Sequence, residues 1–318
     1  MPDYAAFGGY LRSELIFPEL RERTGCAIDW TLRTAPAAPS LIAEQLLGES
    51  DIAPGCRVRM YRHAHGYRLE YDDTGCYDVS ADGRDIVWSP GPVAPAAVVR
   101  SDVTGRVLAT ALHAGGVFCL HGCAVAMQRG AVALLAPKFH GKSTLALALA
   151  RGGGRLITDD VLPVVVGPPA RAIPGMHQVK LWEDSAAMMG VLQRDAGALE
   201  KHLVHDFPDD MLMFEPSPLA AIYLLAPAVD AACAGRSCAR SPVATSMATI
   251  ALVRHATLGE LLGGSQAAVL LGWASALAQK VPVYRLDVVP GLDRVAEVAA
   301  QIVVWHGESA DRPAGVAQ

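Results

Sequence analysis

Residues 133–145 read ALLAPKFHGKSTL: an apolar run, a short polar turn, then Gly-Lys-Ser-Thr opening a predicted helix. This is close to G-x-x-x-x-G-K-[ST]. In that pattern the backbone cradles nucleotide phosphates, the lysine reaches the β/γ oxygens and the hydroxyl residue faces Mg²⁺. The first glycine is replaced by Ala136, with Pro137 behind it. Ala136 matters only if its position requires a positive φ. Pro137 lies early in the loop, where a fixed φ suits a turn. Only five of the 27 basic residues are lysine, so a Gly-Lys-Ser run between an apolar strand and a helix stands out from composition. The alternative is an ordinary strand–helix turn. The nucleotide-binding reading runs from Ala136 and Pro137 through Lys138, Phe139, His140 and Gly141 to Lys142, Ser143 and Thr144.

Around the loop the order is VFCLHGCAVA from Val117, a turn at 128–130, AVALLAP, the loop, STLALALAR, a glycine stop at 152–154, RLITDD and VLPVVV. That predicts strand, hairpin, strand, loop, helix, strand, strand, the β-α-β centre of an α/β domain. RLIT should run parallel to the strand entering the loop, which puts Asp159 and Asp160 at the ligand end of the sheet. Adjacent carboxylates there can divide labour, one toward Mg²⁺ and one accepting a hydroxyl proton. An Asp pair capping a strand end is the plainer reading. A two-residue turn at Arg129-Gly130 or Gln128-Arg129 sets His121 opposite residue 138 or 136, at the base of the loop. A lone His in an apolar strand is otherwise a core residue.

Residues 1–105 read as a mainly antiparallel β domain: RVRMYRHAHGYRLEY (57–71), CYDVS (76–80) and DIVWSP (85–90), with Asp/Gly turns between them. The Pro/Ala-rich 89–99 reads as a connector to a second domain over 106–318. Later come the strand LAAIYLLAP, helices over 243–279, the strand VPVYRLDVV, a closing helix at 291–305 and a fraying tail. The apolar run after Gln266 is too short to span a bilayer and is expected to be a buried helix. LLGGSQ (261–266) resembles a transporter-ATPase signature, but no apolar run ending in Asp-Glu follows, so it reads as a glycine turn.

The chain has 318 residues, 52% of them hydrophobic, and a net charge of −5, which suits a large globular core and argues against nucleic acid or an anionic membrane as partner. Seven cysteines without C-x-x-C spacing favour neither disulfides nor zinc. The start lacks a basic end and an apolar core, so a soluble cytoplasmic protein is expected.

LHGCAVA, the 21 residues from His121 to Lys142, the GKST turn, and RLITDD with its second Asp 17 residues after Ser143 together resemble the HPr serine kinase family. The resemblance implies a P-loop core related in fold to phosphoenolpyruvate carboxykinase, ATP and Mg²⁺ as cofactors, and transfer to a serine hydroxyl. It further implies that His121 and Asp160 are catalytic, with Asp160 the base, and that Ser143 holds magnesium; the loop pattern adds Lys142 to the catalytic residues and the carboxylate pair adds Asp159 to the metal. Aligning the family's downstream Glu-Ile-Arg-Gly on Gly175 leaves Ala172 and Pro174 in place of its Glu and Arg, which argues against the reverse, phosphate-releasing reaction. The strings YAAFGGYLRSELIFPEL, PGMHQVKLW and VPVYRL look more like the HPr-kinase-like proteins of peptide natural-product clusters, some of which phosphorylate the C-terminal serine of a lasso-peptide precursor. The expected partner is therefore a peptide or small protein, and homo-oligomerisation stays open. Arg171, Lys180 and Lys201 are candidate phosphate or carboxylate contacts, each otherwise a solvated charge. The competing readings are a bifunctional HPr kinase/phosphorylase and a nucleotide-binding sensor without transfer.

Overall fold

The computed structural model describes residues 1–40, 44–190, 201–228, 233 and 235–307. Residues 3–90 form a nine-stranded sheet: β1 (Asp3–Ala6), β2 (Gly9–Ser13), β3 (Glu22–Arg23), β4 (Trp30–Thr34), β5 (Gln45–Ala53), β6 (Cys56–His63), β7 (Gly66–Tyr71), β8 (Gly75–Ser80) and β9 (Asp85–Pro90). Its order is β3-β1-β2-β4-β9-β8-β7-β6-β5. From β5 to β9 each strand pairs antiparallel with the next, while β4 joins β2 and β9 in parallel. The period-2 alternation is plain in β8, where Tyr77 and Val79 are buried and Cys76, Asp78 and Ser80 only partly so.

The expected connector at 89–99 is mostly regular structure. Ser89 and Pro90 end β9, and α1 (Ala96–Asp102) begins behind Pro95, so the link shrinks to 91–95. A proline ahead of a helix's first turn sacrifices no intrahelical hydrogen bond. α1 continues through a kink at Gly105 (φ −99, ψ −108) into α2 (Leu108–Ala114). The division expected at 105/106 falls at this kink, inside one helical run.

The second, mixed sheet follows: β10 (Phe118–Met127), β11 (Gly130–Leu135), β12 (Arg155–Thr158), β13 (Val161–Val165), β14 (Arg171–Ala172), then β17 (Ser217–Pro227), β18 (Cys238–Pro242) and β19 (Val283–Val288), with a small ribbon of β15 (Val179–Leu181) and β16 (His202–Val204) beside it. Its helices are α3 (Lys142–Arg151), α4 (Glu183–Met188), α5 (Thr245–Arg254), α6 (Ser265–Lys280) and α7 (Val295–Gly307). Gln128 and Arg129 form the two-residue turn, because Met127 pairs with Gly130 and Gly122 with Leu135. β11 and β12 both run antiparallel to β10, on opposite edges, and so parallel to one another with β10 between them.

β10 and β11 alternate faces. Cys123, Val125, Val132 and Leu134 share a core with Leu145 and Leu149 of α3 and Ile302 of α7. Ala124, Ala126, Ala131 and Ala133 belong to a second core that runs on into Tyr77 and Leu69 of the first sheet. Burying each leucine of α3 stabilises the fold by about 1.5–3 kcal/mol relative to leaving it exposed. The run after Gln266 does form a helix, α6, but it is not buried all round: Leu270, Ala274 and Leu277 make a single stripe, while Leu271 is 52% exposed. LLGG is a turn between α5 and α6, and Gly263 N–H donates to the Leu47 carbonyl at 3.1 Å. Residues 308–318 of the expected tail lie outside the described residues. Among the described residues no helix is long and apolar enough to cross a membrane.

Gly175 N–H donates to the Ile157 carbonyl at 2.9 Å, which lays the 172–175 segment against β12. A Cβ at 175 would stand 1.9 Å from Thr158 Oγ1 and 2.6 Å from its Cβ. Gly175→Ala should therefore cost about 1–3 kcal/mol by overpacking. Urea unfolding would show this as a lower midpoint at constant m, and an unchanged midpoint would contradict the packing described.

Candidate active site

The loop between β11 and α3 makes its turn without a glycine at its first position. Among the described residues only Phe7, Phe139 and Asp160 are non-glycine positions with positive φ, so Ala136 needs no glycine; it is fully buried at the end of β11. The left-handed turns fall instead at Phe139 (φ 69) and Gly141 (φ 75). Left-handed residues set between ordinary ones turn successive N–H groups toward one point, a geometry that favours an anion. The N–H groups of Lys142, Ser143 and Thr144 open α3, where a helix has no acceptors of its own to offer them and its dipole is positive.

The second part of the site is an interruption. β12 pairs with β10 at Ala124–Ala126, and β13 continues along the same edge at Phe118–His121. Asp159 and Asp160 fill the break, with Asp160 left-handed at φ 73. Its carbonyl accepts from Gly122 N–H at 3.2 Å, and Val161 N–H donates to the Asp159 carbonyl at 3.0 Å. A bulge of this kind re-aims side chains that a regular strand would send to opposite faces.

The two carboxylates have different surroundings. Asp159 is buried: Oδ1 accepts from Ser143 Oγ at 2.9 Å and Cys123 Sγ at 2.7 Å, and Oδ2 from Lys180 N–H at 3.0 Å. Asp160 is partly exposed. Its Oδ2 lies 2.9 Å from Lys180 Nζ and its Oδ1 3.2 Å from His121 Nδ1. His121 Nδ1 also lies 3.1 Å from the Asp160 carbonyl, and its Nε2 lies 3.3 Å from Lys142 Nζ. A lysine ammonium can only donate, so Nε2 accepts and the imidazole proton sits on Nδ1. Lys180 above all, with His121 adding, holds the Asp160 carboxyl well below the usual carboxylate range against the upward push of burial. Burial pulls Lys180 down, but the carboxylates of Asp160, Asp159 and Asp102 outweigh it and its ammonium is strengthened.

Lys142, His121, Ser143, Asp159 and Asp160 thus come together in one cluster. The three cations named as candidate phosphate or carboxylate contacts part company. Lys180 is a member of the cluster, reaching Ser101 of α1 at 3.4 Å as well as Asp160. Lys201 stands near it, its Nζ 5.1 Å from the Trp182 ring centroid. Burial weakens its ammonium, which also feels the charges of Asp160, Asp159, Lys142 and Lys180. Arg171 is exposed and donates to the Pro216 carbonyl at 3.3 Å, in contact with none of these groups. Cys123 and His255 were not singled out from the sequence. His255, whose carbonyl accepts from His121 N–H at 2.6 Å, is pushed down to about 4 by burial, with the Lys142 ammonium adding. Lys180, one of five lysines and already a candidate contact, lies between Val179 and Leu181, both buried.

These residues suit a magnesium nucleotide. Ser143 and Asp159 offer adjacent hard oxygens, and Mg²⁺ takes few protein ligands while keeping water and phosphate for the rest. Among the described residues no group of three or more His, Cys, Asp or Glu forms a closed metal cage.

No protein-family model matches the chain, and no curated protein is significantly similar to it. Among solved structures it is similar to the HPr(Ser) kinase/phosphatase from Coxiella burnetii, at 11% identity and a TM-score of 0.33, over 59% of this chain and 95% of that one.

Asp160 titrates lower in the folded protein than in the unfolded chain, so its ion pairs stabilise the fold above about pH 4 and that contribution is lost as pH falls below it. Asp160→Asn should lower Tm at pH 7, and the deficit should shrink in melts taken progressively below about pH 4. An equal deficit at every pH would place the destabilisation elsewhere than in the lost charge.

Proposed function

We propose that the protein is an ATP-dependent phosphotransferase acting on a serine or threonine hydroxyl. The observation that carries this reading is the chain of contacts Lys142–His121–Asp160, at 3.3 and 3.2 Å, at the opening of α3. Magnesium ATP bound there would supply the phosphoryl group and help neutralise its charge. Ser143 and Asp159 would hold the cation. Lys142 and the N–H groups of 142–144 would hold the phosphates. Asp160 would accept the proton that the acceptor hydroxyl loses as its oxygen takes the phosphoryl group. His121, fixed by Lys142 and Asp160, would orient that hydroxyl. The acceptor in this reading is a peptide or small protein, and a lasso-peptide precursor with a C-terminal serine is the specific candidate, on the strength of the strings at 4–20 and 174–182. Transfer is read as one-directional: Ala172 is buried in β14 and Pro174 has no charge, so neither can do what a Glu and an Arg would there.

A second reading is favoured by one feature. A carboxylate held as low as that of Asp160 is a weak base, and a nucleotide-binding module without transfer would tolerate that. ATP turnover with and without candidate peptides separates the two.

Lys142 is only 9% exposed, so methionine isolates its charge better than alanine does. Lys142→Met should reduce transfer to background while the folded state persists by circular dichroism. Unchanged turnover in that variant would overturn the phosphate-loop reading.

The two aspartates should separate kinetically. Asp160→Asn should lower kcat by roughly 10²–10⁴ with little change in nucleotide affinity. Asp159→Asn should weaken ATP binding and recover partly at raised Mg²⁺. Rescue of the Asp160 variant by Mg²⁺, and not of the Asp159 variant, would reverse the two roles.

A further inference from the structure

Phe139 does nothing for the hydrophobic core. It is 74% exposed, on the phosphate loop itself, with a left-handed backbone at φ 69 that bulky residues rarely adopt. Glycine would make the same turn without strain. Its ring nevertheless has a defined place, stacked on Trp182 with centroids 4.7 Å apart and planes 17° from parallel.

Trp182 is itself well anchored. It precedes α4, whose Ser185 Oγ accepts from Thr144 Oγ1 on the first turn of α3 at 3.1 Å. The residue that follows α4, Met189, accepts from Arg151 at the far end of α3 through its carbonyl, at 2.8 Å. Lys201 Nζ also stands over the indole. Trp182 thus has both Phe139 and Lys201 against its ring, while Phe139 itself stays 74% exposed and offers an aromatic face.

The geometry points to Phe139, backed by Trp182, as a stacking platform for the base of the bound nucleotide. This rests on the phosphate-loop reading above. The loop that grips the phosphates fixes one end of the nucleotide, and the base is tethered to that end at a limited span, so a flat ring carried on the loop meets it without further recognition. An acceptor peptide has no such tether to the loop. Stacking is also tolerant of which base is present, since every base offers a π face. Loss of the ring should therefore weaken all nucleoside triphosphates alike.

The test uses the full chain and two ligands, ATP and inorganic tripolyphosphate, each titrated calorimetrically with Mg²⁺. Phe139→Leu keeps bulk and removes the flat ring, and Phe139→Tyr keeps the ring. The expected result is a Kd for ATP raised roughly 10-fold or more in Phe139→Leu, from the usual worth of base–aromatic stacking. Tripolyphosphate affinity should be unchanged, and Phe139→Tyr should be close to wild type. Equal weakening of both ligands would overturn the proposal, because the ring would then be shaping the loop and not meeting a base. An unchanged ATP Kd in Phe139→Leu would overturn it outright, because the ring would then not meet the base. Binding of neither ligand to the wild-type protein would instead sink the phosphate-loop reading, and the platform with it.

Discussion

Lys180 Nζ, 2.9 Å from Asp160 Oδ2, closes a ring of contacts on which the site depends. Asp160 sits in a break between two strands and carries a left-handed backbone, an arrangement costing of order 1–3 kcal/mol that persists only if its surroundings hold it. Three neighbours do so: Gly122 N–H on the Asp160 carbonyl, His121 on carbonyl and carboxylate, and Lys180 on the remaining oxygen. The same lysine's backbone N–H fixes Asp159 at 3.0 Å. One residue of the small ribbon therefore sets both carboxylates.

That ribbon also ties the cluster to α1, the helix that follows the N-terminal sheet. Lys180 reaches Ser101 of α1, and its ammonium feels Asp102 next to it. Asp102 is buried, accepts from Thr74 Oγ1 at 2.6 Å, and is pushed up to about 7 by burial, with Asp73 adding. The N-terminal part meets loops of the second half at other points: Arg21 binds Asp209 at 2.5 Å, and Ser50 donates to Glu260 at 2.5 Å. The exposed ion pair adds little stability by itself. The shared apolar core, running from Tyr77 through Leu108 to Leu120, is what joins the two sheets.

The loop shows how a departure from a pattern can be neutral. Ala136 replaces a glycine where no positive φ is required, and the strain appears three residues later at Phe139, where glycine would have been the easy choice. The left-handed residue carries a large ring, which stacks beside Trp182.

Local pattern by itself determined the elements around the site: the strand and hairpin with its turn within 128–130, the loop, α3 with its glycine stop at 152–154, and the period-2 strands of 57–90. These follow from alternation, turn residues and capping, which act over a few neighbours. His121 was placed at the base of the loop by register arithmetic for the same reason, since a two-residue turn propagates along the hairpin. What only the tertiary structure decided was which charges meet. Lys180 and Arg171 look alike as isolated cations in the chain, yet one lies against Asp160 and the other on a backbone carbonyl. The division of β12 from β13 is equally invisible locally, because it exists only where both pair with one strand, β10. α6 reads as uniformly apolar, but which stripe is covered depends on what packs against it. Sequence spacing reports neighbours along the chain, whereas ion pairing and burial depend on neighbours across it.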